Sequence, residues 1–122
     1  MSKQPKALSE GAIQRAILDY LVSRHIRAYR MQVGAFSSEY QGKSRFMRFG
    51  TPGMADILAF PHSGARDRHG NWFDCIVPTW LEVKSATGKQ SELQKSFQAQ
   101  VEEDGHRYAI VRSVDDVEAL LQ

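Results

Sequence analysis

Gly50-Thr51-Pro52-Gly53-Met54-Ala55-Asp56-Ile57-Leu58-Ala59-Phe60, and then Thr79-Trp80-Leu81-Glu82-Val83-Lys84, are the stretches whose reading decides the fold. In the first, a turn rich in Gly and Pro feeds a short apolar run, Ala55 to Phe60, which reads as a strand. In the second, alternation sends Trp80, Glu82 and Lys84 to one face and Leu81 and Val83 to the other. The flanking Leu81 and Val83 mark a core strand rather than a surface one.

Upstream of these strands, Ser9 can cap a helix running from about Ser9 to His25, with Ile13, Ile17, Tyr20 and Leu21 as its apolar stripe. Glu10 and Gln14, four apart, stack beside that stripe. A strand with Tyr29, Met31 and Val33 on one face follows. Residues 34–52 are rich in Gly, Ser and basic side chains and read as a long loop, which in a compact domain is usually functional. The segment from Pro61 to Pro78 holds a turn, Arg68-His69-Gly70-Asn71, and the start of another strand.

Downstream, Ser91 opens a helix with Leu93, Phe97 and Val101 on its apolar side and Gly105 as its stop. Tyr108-Ala109-Ile110-Val111 forms a strand, and Ser113 caps a last helix bearing Val114, Val117, Leu120 and Leu121. The predicted order is helix, three strands, helix, strand, helix (αβββαβα). Three consecutive strands can form a meander, and a fourth reached through a helix can pair in parallel. The expected fold is α/β, a mixed sheet of about four strands flanked by helices, in one domain over residues 1–122.

Composition narrows the classes. A hydrophobic share of 42% with 25% charged residues argues for a folded globular chain and against disorder. No apolar run approaches the roughly 20 residues of a membrane helix, so no membrane partner is expected. The opening MSKQPKALSE has no apolar core and is not expected to act as a secretory leader. With a single cysteine, Cys75, an intramolecular disulfide is excluded, and a reducing, cytoplasmic setting in a bacterial or phage-infected cell is expected.

The net charge of +2 names no partner, but its distribution is uneven. Arg24, Arg27, Arg30, Lys43, Arg45 and Arg48 are opposed only by Glu39, whereas the last stretch is acidic. One face is therefore expected to meet a polyanion, through Arg30, Lys43, Arg45 and Arg48; a solvated basic loop is the competing reading. Tyr40, Phe46 and Phe49 alternate with the basic residues, as in loops that touch phosphates and stack on bases, or as in loops whose aromatics fold back onto the core.

If the Asp56 and Glu82 strands pair, both carboxylates converge on one point with the Lys84 ammonium beside them. Hard oxygen ligands of this kind hold Mg²⁺ or Mn²⁺, and such an ion polarises a phosphodiester and acidifies a bound water. A neighbouring lysine orients that water or offsets charge at phosphorus. An isolated Glu-x-Lys pair is more often an exposed ion pair worth well under 1 kcal/mol. The turn leading to Asp56 and the apolar flanks of Glu82 favour the chemical reading here. His62, His69 and Cys75 match no zinc-site spacing. Gly50-Thr51-Pro52-Gly53 lacks the Gly-Lys-Ser/Thr ending of a P-loop.

Gly50-Thr51-Pro52-Gly53-Met54-Ala55-Asp56, then Leu81-Glu82-Val83-Lys84, then a helix bearing Gln94 and Phe97, resembles the PD-(D/E)XK nuclease superfamily. More narrowly it resembles the VRR-NUC family of virus-type replication-repair nucleases, whose first motif the opening helix with Glu10 and Ile13-Gln14 also resembles. The match runs from about Glu10 to Arg112. The superfamily's usual Pro-Asp is replaced by Pro52-Gly53-Met54-Ala55-Asp56. The resemblance implies a restriction-endonuclease-like fold and a nuclease in which Asp56, Glu82 and the Val83 carbonyl bind metal. It further implies that Lys84 assists, Glu10 adds a carboxylate and Gln94 supports the site.

Two of these residues carry a second reading. Gln94 completes a capping box, Ser91-Glu92-Leu93-Gln94, and Glu10 sits where a helix N-terminus favours any carboxylate. With no base-reading helix in view, the expected activity is structure-selective cutting of branched DNA such as a four-way junction, by a homodimer. Trp72, Phe73, Ile76 and Trp80 are the candidate pairing surface, core packing being the alternative for all four and the favoured one for Trp80. The rivals are a restriction-like or exonucleolytic enzyme on duplex ends and a catalytically inactive nucleic-acid-binding module.

Overall fold

The computed structural model describes residues 8–32 and 34–122, and along 34–40 and 45–49 it describes the backbone alone. Helix α1 (Glu10–Ser23) begins at Ser9, whose side chain accepts from the Ala12 amide. Strand β1 (Arg27–Arg30) is followed by a hairpin of β2 (Gly34–Tyr40) and β3 (Lys43–Phe49). Next come β4 (Ile57–Phe60), a second hairpin of β5 (His62–Arg66) and β6 (Trp72–Ile76), and β7 (Thr79–Val83). Helix α2 (Glu92–Glu103), β8 (Arg107–Val111) and α3 (Val114–Leu120) complete the chain.

The central sheet has the order β1-β4-β7-β8. The first three strands are antiparallel neighbours, and β8 returns through α2 to lie parallel to β7. The expectation of a mixed sheet of about four strands flanked by helices is met. The predicted order of elements needs correcting, because two hairpins interrupt the meander.

Both corrections have local causes. Residues 34–52, expected to be a loop, are mostly hairpin, turned by Gln41 and Gly42 with φ of 51° and 75°. Positive φ at both central residues is the conformation whose twist matches the flanking strands. Val33, expected on the preceding strand, lies outside the described residues, and Met31 lies just beyond β1. In the second hairpin, the Asp67 carboxylate closes the loop by accepting from the His69 and Asn71 amides at 2.8 and 2.9 Å.

Sheet parity divides the core in two. Ile57, Ala59, Leu81, Val83 and Val111 face α1 and α3, where Ile13, Ile17, Leu21 and Val117 bury their side chains. Leu58, Trp80 and Tyr108 face the other way, towards Phe97 and Val101 of α2. Every residue of β7 is buried, as expected of a strand covered on both faces. Trp80 belongs to this core: its ring meets Phe97 edge-on at 4.9 Å and its Nε1 donates to His106 Nδ1 at 3.0 Å. Leu93, expected on the apolar side of α2, is instead 59% exposed.

Candidate active site

Asp56, Glu82 and Lys84 meet at one end of the α2 face. Asp56 sits at the bend entering β4, and its Oδ2 accepts from the Val83 amide at 2.8 Å, across the β4–β7 pairing. Its own carbonyl accepts from Met31 N at 2.7 Å, so the aspartate is tied to the strands on both sides. Glu82 is 2% exposed and Lys84 8%, with Lys84 Nζ 3.4 Å from Glu82 Oε1. The Lys84 amide, in turn, donates to the Val111 carbonyl.

Gly53 explains how the turn and α2 come together. It holds φ of +81°, and a Cβ there would overlap the Leu93 carbonyl. Only glycine allows both the left-handed backbone and this approach. The turn before Asp56 is thereby seated on the first turn of α2, which carries Gln94 over Glu82.

Gln94 makes two side-chain hydrogen bonds at once, one that caps the helix and one to Glu82. Its Oε1 accepts from the Ser91 amide at 2.8 Å, completing the capping box, while its Nε2 donates to Glu82 Oε1 at 2.7 Å. An amide has an acceptor end and a donor end, so the two roles do not compete.

Glu10 lies at the rim. It is exposed, and its Oε1 would be 3.2 Å from a Cβ built on Gly88, beside Lys84 Cδ at 3.3 Å. Its charge helps raise the pKa of both Asp56 and Glu82. Among the described residues, no three His, Cys, Asp or Glu side chains converge as one metal-binding group, so Glu10 does not join Asp56 and Glu82 in a three-acid cluster.

The electrostatics of the acid pair are unfavourable as they stand. Burial pushes the Glu82 carboxyl up to about 7, the Asp56 charge adds to this, and Lys84 opposes it. Asp56 is also raised, by burial first, although the Val83 amide holds it down. With a proton on Glu82 the two acids can share a hydrogen bond that favours Asp56 ionisation. Without that proton, Glu82 Oε2 is buried and has no hydrogen-bond partner among the described residues. A buried carboxylate lone pair facing a second carboxylate is satisfied by a proton or by a cation. The donor set suits a hard divalent ion, which needs only one or two carboxylates besides water.

Of the basic residues, Arg30 lies nearest to the acids in the strand pairing. Arg30 is exposed on β1, opposite Ile57 and therefore next to the Asp56 bend. The β2–β3 hairpin lies in the chain between Met31, whose amide donates to the Asp56 carbonyl, and Gly50. Lys43 is exposed near its tip; the side chains of Arg45 and Arg48, like those of Tyr40, Phe46 and Phe49, lie outside the described residues.

Sequence reading missed Tyr108 and Gln90. Tyr108 pairs with Trp80 across the parallel strands, and its hydroxyl accepts from Gln90 Nε2 at 3.1 Å. Burial raises its pKa, and the charges of Glu82 and Asp56 raise it further, which puts the phenol within electrostatic reach of the acids. The parity shared with Trp80 was the available signal. His62 bonds Asp74 at 2.9 Å on the second hairpin, away from these residues.

Compared with family models, curated proteins and solved structures, the chain shows no match.

Proposed function

We propose that this chain is a divalent-metal-dependent nuclease built on a restriction-endonuclease-like sheet, of the VRR-NUC kind, that hydrolyses DNA phosphodiesters. The observation that carries the reading is buried Glu82 beside half-buried Asp56, with Glu82 Oε2 lacking a partner among the described residues and the Lys84 ammonium alongside. Asp56, Glu82 and the Val83 carbonyl would hold Mg²⁺ or Mn²⁺, with Glu10 at the rim. When bound, such an ion supplies Lewis acidity towards the phosphate and acidifies a coordinated water.

The chain's own residues divide the remaining work. Gln94 holds Glu82 in one rotamer through the 2.7 Å bond, and the Val83 amide does the same for Asp56. Preorganised ligands need no rearrangement when charge develops at phosphorus. Lys84, fixed beside Glu82, orients the attacking water or offsets negative charge on the phosphoryl oxygens. Arg30, Lys43, Arg45 and Arg48 contact phosphates on either side of the cut, contacts that are blind to sequence.

The substrate is branched DNA, such as a four-way junction, and the active species is a homodimer. Trp72, Phe73 and Ile76, between 46% and 66% exposed on the second hairpin, supply an apolar pairing surface, whereas Trp80 is spent in the core. The test incubates the protein with linear, flapped and four-way DNA in Mg²⁺, Mn²⁺ or EDTA and maps the cuts, with mass in solution measured by light scattering. Metal-dependent cuts flanking the branch point support the reading. Cuts confined to linear ends would make the enzyme end-directed, and binding without cutting in any metal would make it an inactive module.

A further inference from the structure

Lys84 opens a tight turn, Ser85–Gly88, in which the Gly88 amide donates to the Ser85 carbonyl at 3.2 Å. This turn forms one wall of the candidate site. A Cβ at Gly88 would stand 3.3 Å from Lys84 Cδ and 3.2 Å from Glu10 Oε1, so the glycine backbone lies against both side chains. A lysine has four side-chain torsions, and one ion pair at 3.4 Å does not define them all. The wall along its methylenes supplies the remaining constraint.

The wall is held from behind. Arg112, the first residue after β8, sends one nitrogen, Nη1, to two main-chain oxygens of the turn, Ser85 O at 2.5 Å and Gly88 O at 2.9 Å. That nitrogen carries two hydrogens, one for each carbonyl, so both ends of the turn hang on one group. The anchor is itself fixed: the Arg112 amide donates to Asp116 Oδ2 at 2.8 Å, and neighbouring Ser113 caps α3. Arg112 is exposed, so its guanidinium is neither buried in the core nor needed to fill it. A surface arginine with both hydrogens of one nitrogen committed to a turn 24 and 27 residues away is placed to set the position of that turn.

We propose that Arg112 is a positioning residue: by clamping the Ser85–Gly88 turn it fixes Lys84 against the acid pair and holds the Glu10 carboxylate at the rim. The proposal deepens the nuclease reading and rests on it. Its test uses the full chain with R112M, which keeps an unbranched side chain and removes the donors, and R112K, whose ammonium can still donate twice. Cleavage of four-way DNA in Mg²⁺ is measured together with amide hydrogen exchange and melting temperature.

For R112M the expected result is a fall in kcat of about tenfold or more with KM within about twofold. Exchange should quicken over residues 84–90 alone, with the melting temperature nearly unchanged. R112K should recover most of the turnover and the protection. A rise in KM at constant kcat would make Arg112 a phosphate contact instead, and exchange that quickens throughout the chain would make it a general support of the fold. Unchanged exchange over residues 84–90 would overturn the clamp itself. A wild-type protein that cuts no DNA would defeat the nuclease reading, while the exchange comparison would still decide whether the clamp exists.

Discussion

Replacing Glu82 by Gln should stabilise the metal-free protein at neutral pH while abolishing cleavage. The Glu82 carboxyl stands at about 7 in the fold against an ordinary 4.5, because burial and the Asp56 charge both disfavour its ionisation. Between those values the folded chain keeps a proton that the unfolded chain has released. Stability therefore falls as pH rises through the window and levels off above it. One pH unit of displacement is worth about 1.4 kcal/mol, so the ceiling is about 3 kcal/mol, a large share of the roughly 5–15 kcal/mol that holds a domain together. Asp56, also raised, acts in the same direction.

At about pH 5 the protonated acid and the amide are nearly isosteric, and both can keep the bond from Gln94, so the two proteins should differ little. At about pH 8 the variant should be the more stable, by up to about 3 kcal/mol. Urea unfolding in EDTA across this range, with equal m-values, measures the difference. Mg²⁺ should then stabilise the wild type and not the variant, since an ion that binds only the folded state raises its stability by mass action. A difference between the two proteins that is constant from pH 5 to pH 8 would refute the argument that Glu82 carries an uncompensated charge.

Other outcomes follow from the same geometry. Lys84→Ala should lower turnover by orders of magnitude and leave metal affinity, read by calorimetry, nearly unchanged; the reverse pattern would remove Lys84 from the reacting centre. Replacing Lys43, Arg45 and Arg48 by alanine should weaken DNA binding evenly across sequences and flatten the slope of log K against log salt by about 0.9 per lost contact. An unchanged slope would put the DNA elsewhere on the protein. Gly53→Ala meets both a φ of +81° and the Leu93 carbonyl, so it should cost at least about 2 kcal/mol and loosen Gln94 from Glu82. Chemical denaturation measures the first effect, and retained full stability would mean that the turn can move off α2.

Sequence alone was enough wherever the cause is local. Ser9, Ser91 and Ser113 cap the three helices, because a hydroxyl at that place satisfies an amide within its own turn. The two-residue period of Thr79 to Lys84 likewise identified the central strand and put Glu82 and Lys84 on one face. The first hairpin was not legible, and of the second only the turn and the start of a strand were, for a reason equally physical. Gln41-Gly42 is an uncommon pair for that turn, and strands such as β2, β3 and β5, in which Ser, Gly and charged residues predominate, lack the apolar alternation that marks a buried face.

What only the tertiary structure decided are relations between distant segments. Asp56 reaches the Val83 amide, Gln94 links Ser91 to Glu82, and Glu10 stops at the rim because the N-terminus of α1 lies against Gly88 rather than over the acids. The hold of Arg112 on the Ser85–Gly88 turn belongs to the same class. Periodicity fixes which way a side chain leaves its own element. Which partner it then meets depends on how the elements are stacked, and that is set by burial of the two apolar faces of the sheet, a sum over the whole chain.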